Sequence, residues 1–206
     1  MKGLGLCTVG IGMSSLLGGK DTLCTIICVA LGTILGEWLN IEKGMDDLGE
    51  LLRRKLIKGE GNSRFVEGFV NATVLYCVGA MSINGAIAAG INGDYSILIS
   101  KSVMDMVSSI TFAAAMGIGV PFAVIPILLY EGGLTLLAGV VGPYLSAAVI
   151  TEMSAVGGAI IVGIGLNLLG ASKEGIRVSN MLPAIFLPIA YVPLANWVAT
   201  VAAGLF

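Results

Sequence analysis

Long apolar stretches alternate with short polar breaks along most of the chain. Seven stretches of mostly apolar residues occur, at about 3–19, 22–39, 65–88, 98–118, 120–141, 147–169 and 178–204. A helix needs about 20 mostly apolar residues to cross a bilayer, because each residue adds about 1.5 Å along the helix axis. The pattern therefore predicts seven membrane-spanning helices.

The region between the second and third stretches, residues 41–64, is strongly polar. Its apolar residues recur at helical spacing: Ile41, Met45, Leu48, Leu51, Leu52 and Leu56. Acidic residues come early in this region and basic residues late, an order that complements the helix dipole. The pattern predicts an amphipathic helix lying on the membrane surface. A solvated connector helix is an equally good interpretation.

Lysines and arginines are distributed unevenly between the polar segments. Region 41–64 carries Lys43, Arg53, Arg54, Lys55, Lys58 and Arg64. With seven crossings, Lys2, Lys173 and Arg177 fall on the same side as this region, and Lys20 and Lys101 fall on the other. Basic residues favour the cytoplasmic side of a membrane. We therefore expect region 41–64 and the amino terminus to be cytoplasmic and the carboxyl terminus to lie outside.

Composition also indicates a membrane protein. Hydrophobic residues make up 56% of the 206 residues and charged residues only 12%, whereas a typical soluble domain is about 25% charged. We expect an all-α, polytopic membrane protein with about seven transmembrane helices plus one cytoplasmic, amphipathic surface helix. These elements would form a single integral membrane domain, 1–206. The 30 glycines and other small residues fit a homo-oligomer as well as a monomer.

Several kinds of chemistry are disfavoured. The chain has no histidine, which excludes imidazole metal sites, and no basic patch that would indicate nucleic acid binding. No nucleophile is paired with a base by motif, so we expect neither an enzyme nor a bound cofactor. Cys24 and Cys28 are four residues apart and share one helix face. They fit small packing residues better than a metal or redox pair.

Three ionisable residues fall inside apolar stretches. Lys101 and Asp105 are four residues apart and can pair on one helix face, and Glu131 lies in the middle of the next stretch. A charge at the centre of a membrane helix costs about 2.5–3.5 kcal/mol on insertion scales, and such residues usually mark a pathway. Four serines make the Lys101 segment unusually polar: Ser100, Ser102, Ser108 and Ser109. We predict that Lys101, Asp105 and Glu131 form the core of a substrate or ion site.

The segment around Glu131 contains residues that weaken helices. Gly132 and Gly133 follow the carboxylate, and Pro121 and Pro126 precede it. Paired glycines and prolines are common causes of helix kinks. Irregular backbone at membrane depth is tolerated only against protein or a wet cavity, and transporters commonly build sites there. We therefore expect a discontinuous helix near Glu131.

Other polar residues lie in or beside the apolar stretches. Asn167 and Asn180 are predicted to assist the site, although amides in membrane helices also serve as structural hydrogen-bonding groups. Glu67 and Glu152 each open a stretch, where the helix dipole favours a carboxylate, so capping is the simpler interpretation. Asp94 is predicted to cap the helix that follows it.

Several sequence blocks coincide with a known family. The blocks are GTILGEWLNIEKG (32–44), FVEGFVNATVLYCVGAMSINGAI (65–87), GDYSILISKSVMD (93–105), LTLLAG (134–139), EMSAVGGAIIVGIGLNLLG (152–170) and SNMLPAI (179–185). Together they resemble the YqgA/YdfK-like bacterial inner-membrane proteins, known as domain of unknown function 554, over nearly the whole chain. The resemblance implies a small inner-membrane protein suspected of transport, in a family whose members usually begin with one more Gly-rich segment. It also implies that glutamine often stands at the position of Glu131, so hydrogen bonding is the common feature there.

These features favour a small transporter or permease for an ion or small polar solute, with protons or sodium as the coupling ion. A passive channel with the same polar lining is one alternative. A scaffold or regulatory membrane protein that acts through region 41–64 is another. The partners implied are the lipid bilayer and an ion or small solute, and no nucleic acid.

Overall fold

The computed structural model describes residues 2–56, 63–171 and 175–203, and these residues contain helices but no strand. Eleven α-helices and two 3₁₀ helices are present in the described part of the chain. In chain order they are α1 (Lys2–Leu17), α2 (Thr22–Leu39), α3 (Ile41–Leu56), α4 (Ser63–Cys77), α5 (Ala80–Asn92), α6 (Ser96–Met116), α7 (Gly119–Phe122), α8 (Val124–Leu136), α9 (Ala138–Val141), a 3₁₀ turn (Gly142–Tyr144), α10 (Ala147–Leu169), the second 3₁₀ helix (Val178–Phe186) and α11 (Pro188–Ala203). The prediction of an all-α protein is confirmed.

Several of these helices are long and apolar enough to cross a membrane. Four qualify singly within the described residues: Thr22–Leu39, Ser96–Met116, Gly119–Leu136 and Ala147–Leu169. Two further pairs qualify as bent spans, α4 with α5 at 61° and the second 3₁₀ helix with α11 at 46°. The structure therefore has four to six candidate spans, and α1, the first of the seven predicted, is apolar but shorter.

The main break in the bundle lies elsewhere than the sequence suggests. The predicted single crossing over 65–88 is interrupted, since α4 ends at Cys77 and α5 begins at Ala80. The segment around Glu131 is divided, as expected, since α7 ends at Phe122, α8 runs from Val124 to Leu136 and α9 begins at Ala138. The breaks do not lie at the paired glycines, because α8 runs unbroken through Gly132 and Gly133. Glycine permits a kink without imposing one, so a helix can continue through both glycines.

Helix α10 lies at the centre of the bundle, and α1 packs against it at very short range. A Cβ atom on Gly12 would lie 2.7 Å from the backbone nitrogen of Val162, and one on Gly158 would lie 2.5 Å from the backbone nitrogen of Leu16. Small residues let membrane helices approach until their backbones touch. The glycines of α1 and α10 therefore set the position of both helices.

A second close approach fixes the region where α2 meets the second 3₁₀ helix. A Cβ atom on Gly36 would lie 1.8 Å from the carbonyl oxygen of Asn180, and one on Gly32 would lie 2.3 Å from the Cα atom of Ala184. The side chain of Asn180 accepts a hydrogen bond from the backbone N–H of Glu42, at 2.8 Å. This contact ties the start of α3 to the bundle.

Helix α3 confirms the amphipathic helix that the sequence predicts for region 41–64, over residues 41–56. Its first turn carries Glu42 and its last turn carries three basic residues. The buried Gly49 packs on α4, where a Cβ atom would lie 3.2 Å from side-chain atoms of both Phe69 and Val66. Residues 57–62 lie outside the described part of the chain.

Candidate functional site

Lys101, Asp105 and Glu131, which we call the charged cluster, meet inside the bundle. The Nζ atom of Lys101 contacts the carboxylate of Asp105 one turn further along α6. It also lies 3.0 Å from Oε1 of Glu131, which α8 contributes. Lys101 is 8% exposed. One ammonium group thus faces two carboxylates, which leaves the cluster with a formal charge of −1.

A cavity of about 380 Å³ opens beside the charged cluster. Lys101 and Asp105 line it together with four serines, Ser15, Ser82, Ser108 and Ser154, and we call it the serine cavity. The backbone break between α4 and α5 forms part of its wall, through Val78, Gly79 and Ala80. Irregular backbone therefore lines a cavity beside the charged cluster, as expected for a site within a membrane domain. It belongs to the junction of α4 and α5 rather than to α8.

A second polar cavity adjoins the first. It measures about 410 Å³ and shares Ser15, Ala80 and Ser154 with the serine cavity. Asn84 and Thr151 add further polar groups to its wall. Polar side chains therefore line the two cavities from the charged cluster to the first two turns of α10.

Two buried oxygen atoms in this area differ in the partners that they have. The hydroxyl of Ser154 is buried and has no hydrogen-bond partner. Oε1 of Glu131 is also buried without a hydrogen bond, although it keeps its ion pair with Lys101. Leaving a buried polar group unsatisfied costs about 1–3 kcal/mol. The Ser154 hydroxyl, which belongs to a residue that lines both cavities, is therefore suited to a polar ligand, whereas Oε1 of Glu131 already has the Lys101 ammonium group as its partner.

The structure places the other two predicted site residues away from the charged cluster. The side-chain amide of Asn167 donates to the carbonyl of Ile176 and accepts from its N–H group, both at 2.7 Å. These two bonds join the end of α10 to Ile176. Asn180 holds the first turn of α3, as described above. Both amides therefore make structural hydrogen bonds, which is the alternative that the sequence left open.

Asn167 lines a different cavity, of about 780 Å³, beneath α3. Five acidic residues line it, and we call it the acidic cavity: Glu42, Asp46, Asp47, Glu50 and Glu67. Ser154 of the serine cavity and Asn167 of the acidic cavity are 13 residues apart on α10, which corresponds to about 20 Å of helix. Ile160 and Ile164, both fully buried, lie between them on the same helix.

Glu152 is a buried carboxylate whose structural role the sequence does not reveal. Ser146 caps α10, so Glu152 does not serve as the cap of its own helix. Its Oε1 atom instead accepts hydrogen bonds from the backbone N–H groups of Lys20 at 2.8 Å and Asp21 at 3.2 Å. The residue is 4% exposed, and its Oε2 atom is buried without a partner. A buried glutamate thus holds the turn between α1 and α2.

The structure also bears on the predictions made for Asp94 and for the cysteine pair Cys24 and Cys28. Asp94 accepts a hydrogen bond at 2.9 Å from the N–H of Ser96, the first residue of α6, and this bond lowers the pKa of its carboxyl. Asp94 thus satisfies a donor at the start of the helix as expected, although Tyr95 occupies the N-cap position itself. Cys24 and Cys28 share a helix face with their sulfur atoms 3.8 Å apart and are almost fully buried, so they pack as small residues. Among the described residues, no group of three or more His, Cys, Asp or Glu is close enough to hold a metal ion.

Comparison with known proteins places the chain among proteins without an assigned activity. The profile of a family described as "Protein of unknown function (DUF554)" matches residues 1–193. The uncharacterized membrane protein YdfK of Bacillus subtilis (strain 168) is 29% identical over 192 residues, which cover 91% of this chain and 80% of YdfK. The uncharacterized protein YqgA of Escherichia coli (strain K12) is 32% identical over 199 residues, which cover 95% of this chain and 83% of YqgA. No solved structure matches.

Proposed function

We propose a transport function for this chain, which belongs to the DUF554 family of proteins of unknown function and is a multi-pass membrane protein. It would act as a small transporter or permease for an ion or small polar solute. The charged cluster of Lys101, Asp105 and Glu131 would be its core site. The proposal includes no chemical step, cofactor or metal centre.

The observation that carries this proposal is the position of the charged cluster against the serine cavity. The ammonium group of Lys101 compensates only one of the two carboxylates that it contacts. The excess negative charge favours a cation, and the nearby serine hydroxyls supply oxygen atoms that can replace part of its hydration shell. A monovalent cation, such as a proton or sodium, is the substrate or coupling ion that fits this arrangement.

The buried layer around Ile160 and Ile164 favours a transporter over a continuously open channel. A channel needs one polar path across the membrane, whereas fully buried apolar residues separate the serine cavity from the acidic cavity along α10. In transporters, access alternates between the two sides of a central site. Steady single-channel currents at a fixed voltage would contradict this part of the proposal.

We further propose that the protein lies in the bacterial inner or plasma membrane with α3 on the cytoplasmic side. The basic residues of region 41–64 and Arg177 support this orientation. Labelling of single cysteines introduced at exposed positions of α3 and of the Gly93–Asp94 turn tests it. The proposal predicts that a membrane-impermeant reagent reaches the turn in whole cells and reaches α3 only after cell lysis.

The first experiment is a thermal unfolding assay of the purified protein against a panel of monovalent cations and small solutes. A ligand that binds only the folded state adds about 2.7 kcal/mol at 100 times its dissociation constant. Asp105→Asn and Glu131→Gln should abolish the shift that the wild type shows, whereas Asp94→Asn, at an exposed turn, should retain it. Flux of the same ligand into proteoliposomes is the second measurement. If no cation or solute shifts the wild type and no flux appears, the transport function is wrong.

A further inference from the structure

The acidic cavity beneath α3 concentrates negative charge that the described part of the chain neutralises only in part. None of the described lysines or arginines lines it. Glu50 is paired with Arg53 and Arg54, at 2.5 and 3.2 Å. The other four carboxylates make no ion pair within the described residues: Glu42, Asp46, Asp47 and Glu67. The positive charge of Arg177 tends to lower the pKa of Glu42. Arg177 is itself paired with Glu37, at 3.5 Å.

Two residues that line the same cavity carry buried oxygen atoms without hydrogen-bond partners. Ser179 is 1% exposed and lines the cavity, and its hydroxyl has no hydrogen-bond partner. Oε2 of Glu42 is buried and unpartnered as well. Such atoms carry an energetic cost unless a ligand or water satisfies them. An occupant that donates several hydrogen bonds and carries positive charge would satisfy both.

The shape and lining of the cavity disfavour a directly coordinated metal ion. No three acidic side chains among the described residues converge as metal ligands, and about 780 Å³ is far more than a single ion fills. Apolar side chains form much of the wall: Val66, Val70, Ile176 and Val178. The occupant should therefore combine positive charges with apolar surface.

The spacing of the carboxylates indicates how those charges are separated. Glu42, Asp46 and Glu50 follow one another at intervals of four residues along one face of α3. Each interval corresponds to about 6 Å along the helix axis. A chain of four methylene groups holds two ammonium groups at a comparable separation, and its methylene groups can pack on valine and isoleucine side chains.

We propose that the acidic cavity binds a linear aliphatic diamine or polyamine. One ammonium group would contact Glu42 and Ser179, and the next would contact Asp46. The methylene chain would lie against Val66 and Val178. Because this site is separate from the charged cluster, the proposal does not depend on the transport function.

The electrostatics of α3 support the same conclusion. Burial of the carboxyl is the main cause that raises the pKa of Glu42, and the negative charge of Asp46 raises it further. The pKa of Asp46 is raised in the same way, first by burial and then by the negative charge of Asp47. Both shifts mean that burial and the neighbouring carboxylates disfavour the ionised forms of Glu42 and Asp46. A bound ammonium group favours the ionised form of each carboxylate.

Isothermal titration of the full-length, detergent-solubilised protein tests the proposal, with 1,4-diaminobutane and spermidine as probes. Both should bind, and spermidine should bind more tightly because it carries a third charge. 1-Aminobutane, and magnesium chloride at matched ionic strength, should bind at least tenfold more weakly than the diamine. Absence of diamine binding, or equal affinity for the monoamine or magnesium, would overturn the proposal.

Variants locate the site. Glu42→Gln and Asp46→Asn should each weaken diamine binding about tenfold, which corresponds to about 1.4 kcal/mol. Ser179→Ala should weaken it less, because a neutral hydrogen bond is lost. Asp94→Asn, which removes a carboxylate far along the chain, should leave binding unchanged. Circular dichroism confirms that each variant is folded, and unchanged affinity in the folded Glu42→Gln and Asp46→Asn proteins would place any binding elsewhere.

Discussion

Lys101 on α6 and Glu131 on α8 form an ion pair at 3.0 Å, although each belongs to a different apolar segment. Burying a charge alone in a membrane helix is costly, and a partner from a neighbouring helix removes much of that cost. Because Asp105 also contacts Lys101, the lysine is the residue that the two carboxylates share. The charged cluster therefore joins α6 to α8 as well as providing a candidate site.

This sharing predicts an unequal effect of two substitutions. Lys101→Met leaves two partly buried carboxylates without a counter-charge, and we expect it to lower the free energy of unfolding by about 3–5 kcal/mol. Glu131→Gln keeps the pair between Lys101 and Asp105, and we expect a loss of about 1 kcal/mol. Thermal or denaturant unfolding in detergent measures both. Equal losses would show that the lysine does not hold both carboxylates.

The contact between α2 and the second 3₁₀ helix predicts a strong effect of one methyl group. Gly36→Ala would place a Cβ atom 1.8 Å from the carbonyl oxygen of Asn180, so the two elements must move apart. Overpacking of this kind costs about 1–3 kcal/mol. Gly44→Ala is the matched control, because nothing lies within 4 Å of a Cβ atom there. It should be neutral or stabilise α3 by up to about 1 kcal/mol, as unfolding curves of the two variants will show.

The role of Glu152 can be separated into hydrogen bonding and charge. Glu152→Gln keeps a side-chain oxygen for the N–H groups of Lys20 and Asp21. Glu152→Leu removes it, and each unsatisfied N–H group then costs about 1–3 kcal/mol. We expect the leucine variant to unfold at a clearly lower temperature and the glutamine variant to stay close to the wild type. A glutamine variant as unstable as the leucine variant would mean that the negative charge itself is required.

The raised pKa values of Glu42 and Asp46 predict how stability depends on pH. A carboxyl whose pKa is higher in the folded state than in the unfolded state binds its proton more tightly when folded. Its stabilising contribution is complete below the unfolded pKa and is lost as the pH rises through the folded pKa. Stability should therefore fall as the pH rises through the range just above the ordinary carboxyl pKa values. The double variant Glu42→Gln, Asp46→Asn should lack this fall.

Glu50 and Asp94 act in the opposite direction and at lower pH. Hydrogen bonds from Arg53 lower the pKa of Glu50 to about 2, and hydrogen bonds from Ser96 lower that of Asp94. Their contributions are present above the unfolded pKa values and are lost as the pH falls through the folded ones. When the free energy of unfolding is measured against pH, Glu50→Gln should reduce the loss of stability at acidic pH. The dependence at higher pH should stay unchanged. A change confined to higher pH would contradict this assignment.

The sequence predicts what depends on spacing within one helix. The contact of Lys101 with Asp105 follows from a separation of four residues, and the start of α6 follows from Asp94. The amphipathic character of α3 is equally local. These features are accessible because helical periodicity fixes which side chains share a face.

The features that the sequence misses depend on distant segments meeting. Nothing near Glu152 indicates that Lys20 and Asp21 will supply its hydrogen-bond donors, since those residues precede it by more than half the chain. The break at Gly79 and the unbroken helix at Gly132 and Gly133 show the same limit. Glycine lowers the energetic cost of a bend, and the packing of neighbouring helices determines where a bend occurs.

The apolar layer between the serine cavity and the acidic cavity has an electrical consequence. A transmembrane voltage falls mainly across material of low polarizability, so much of it should drop across the buried stretch of α10 around Ile160 and Ile164. Moving one elementary charge through the full potential is worth about 2.3 kcal/mol per 100 mV. A cation carried from one cavity to the other without a compensating charge would therefore produce a current. The resting voltage of the cell would set its preferred direction.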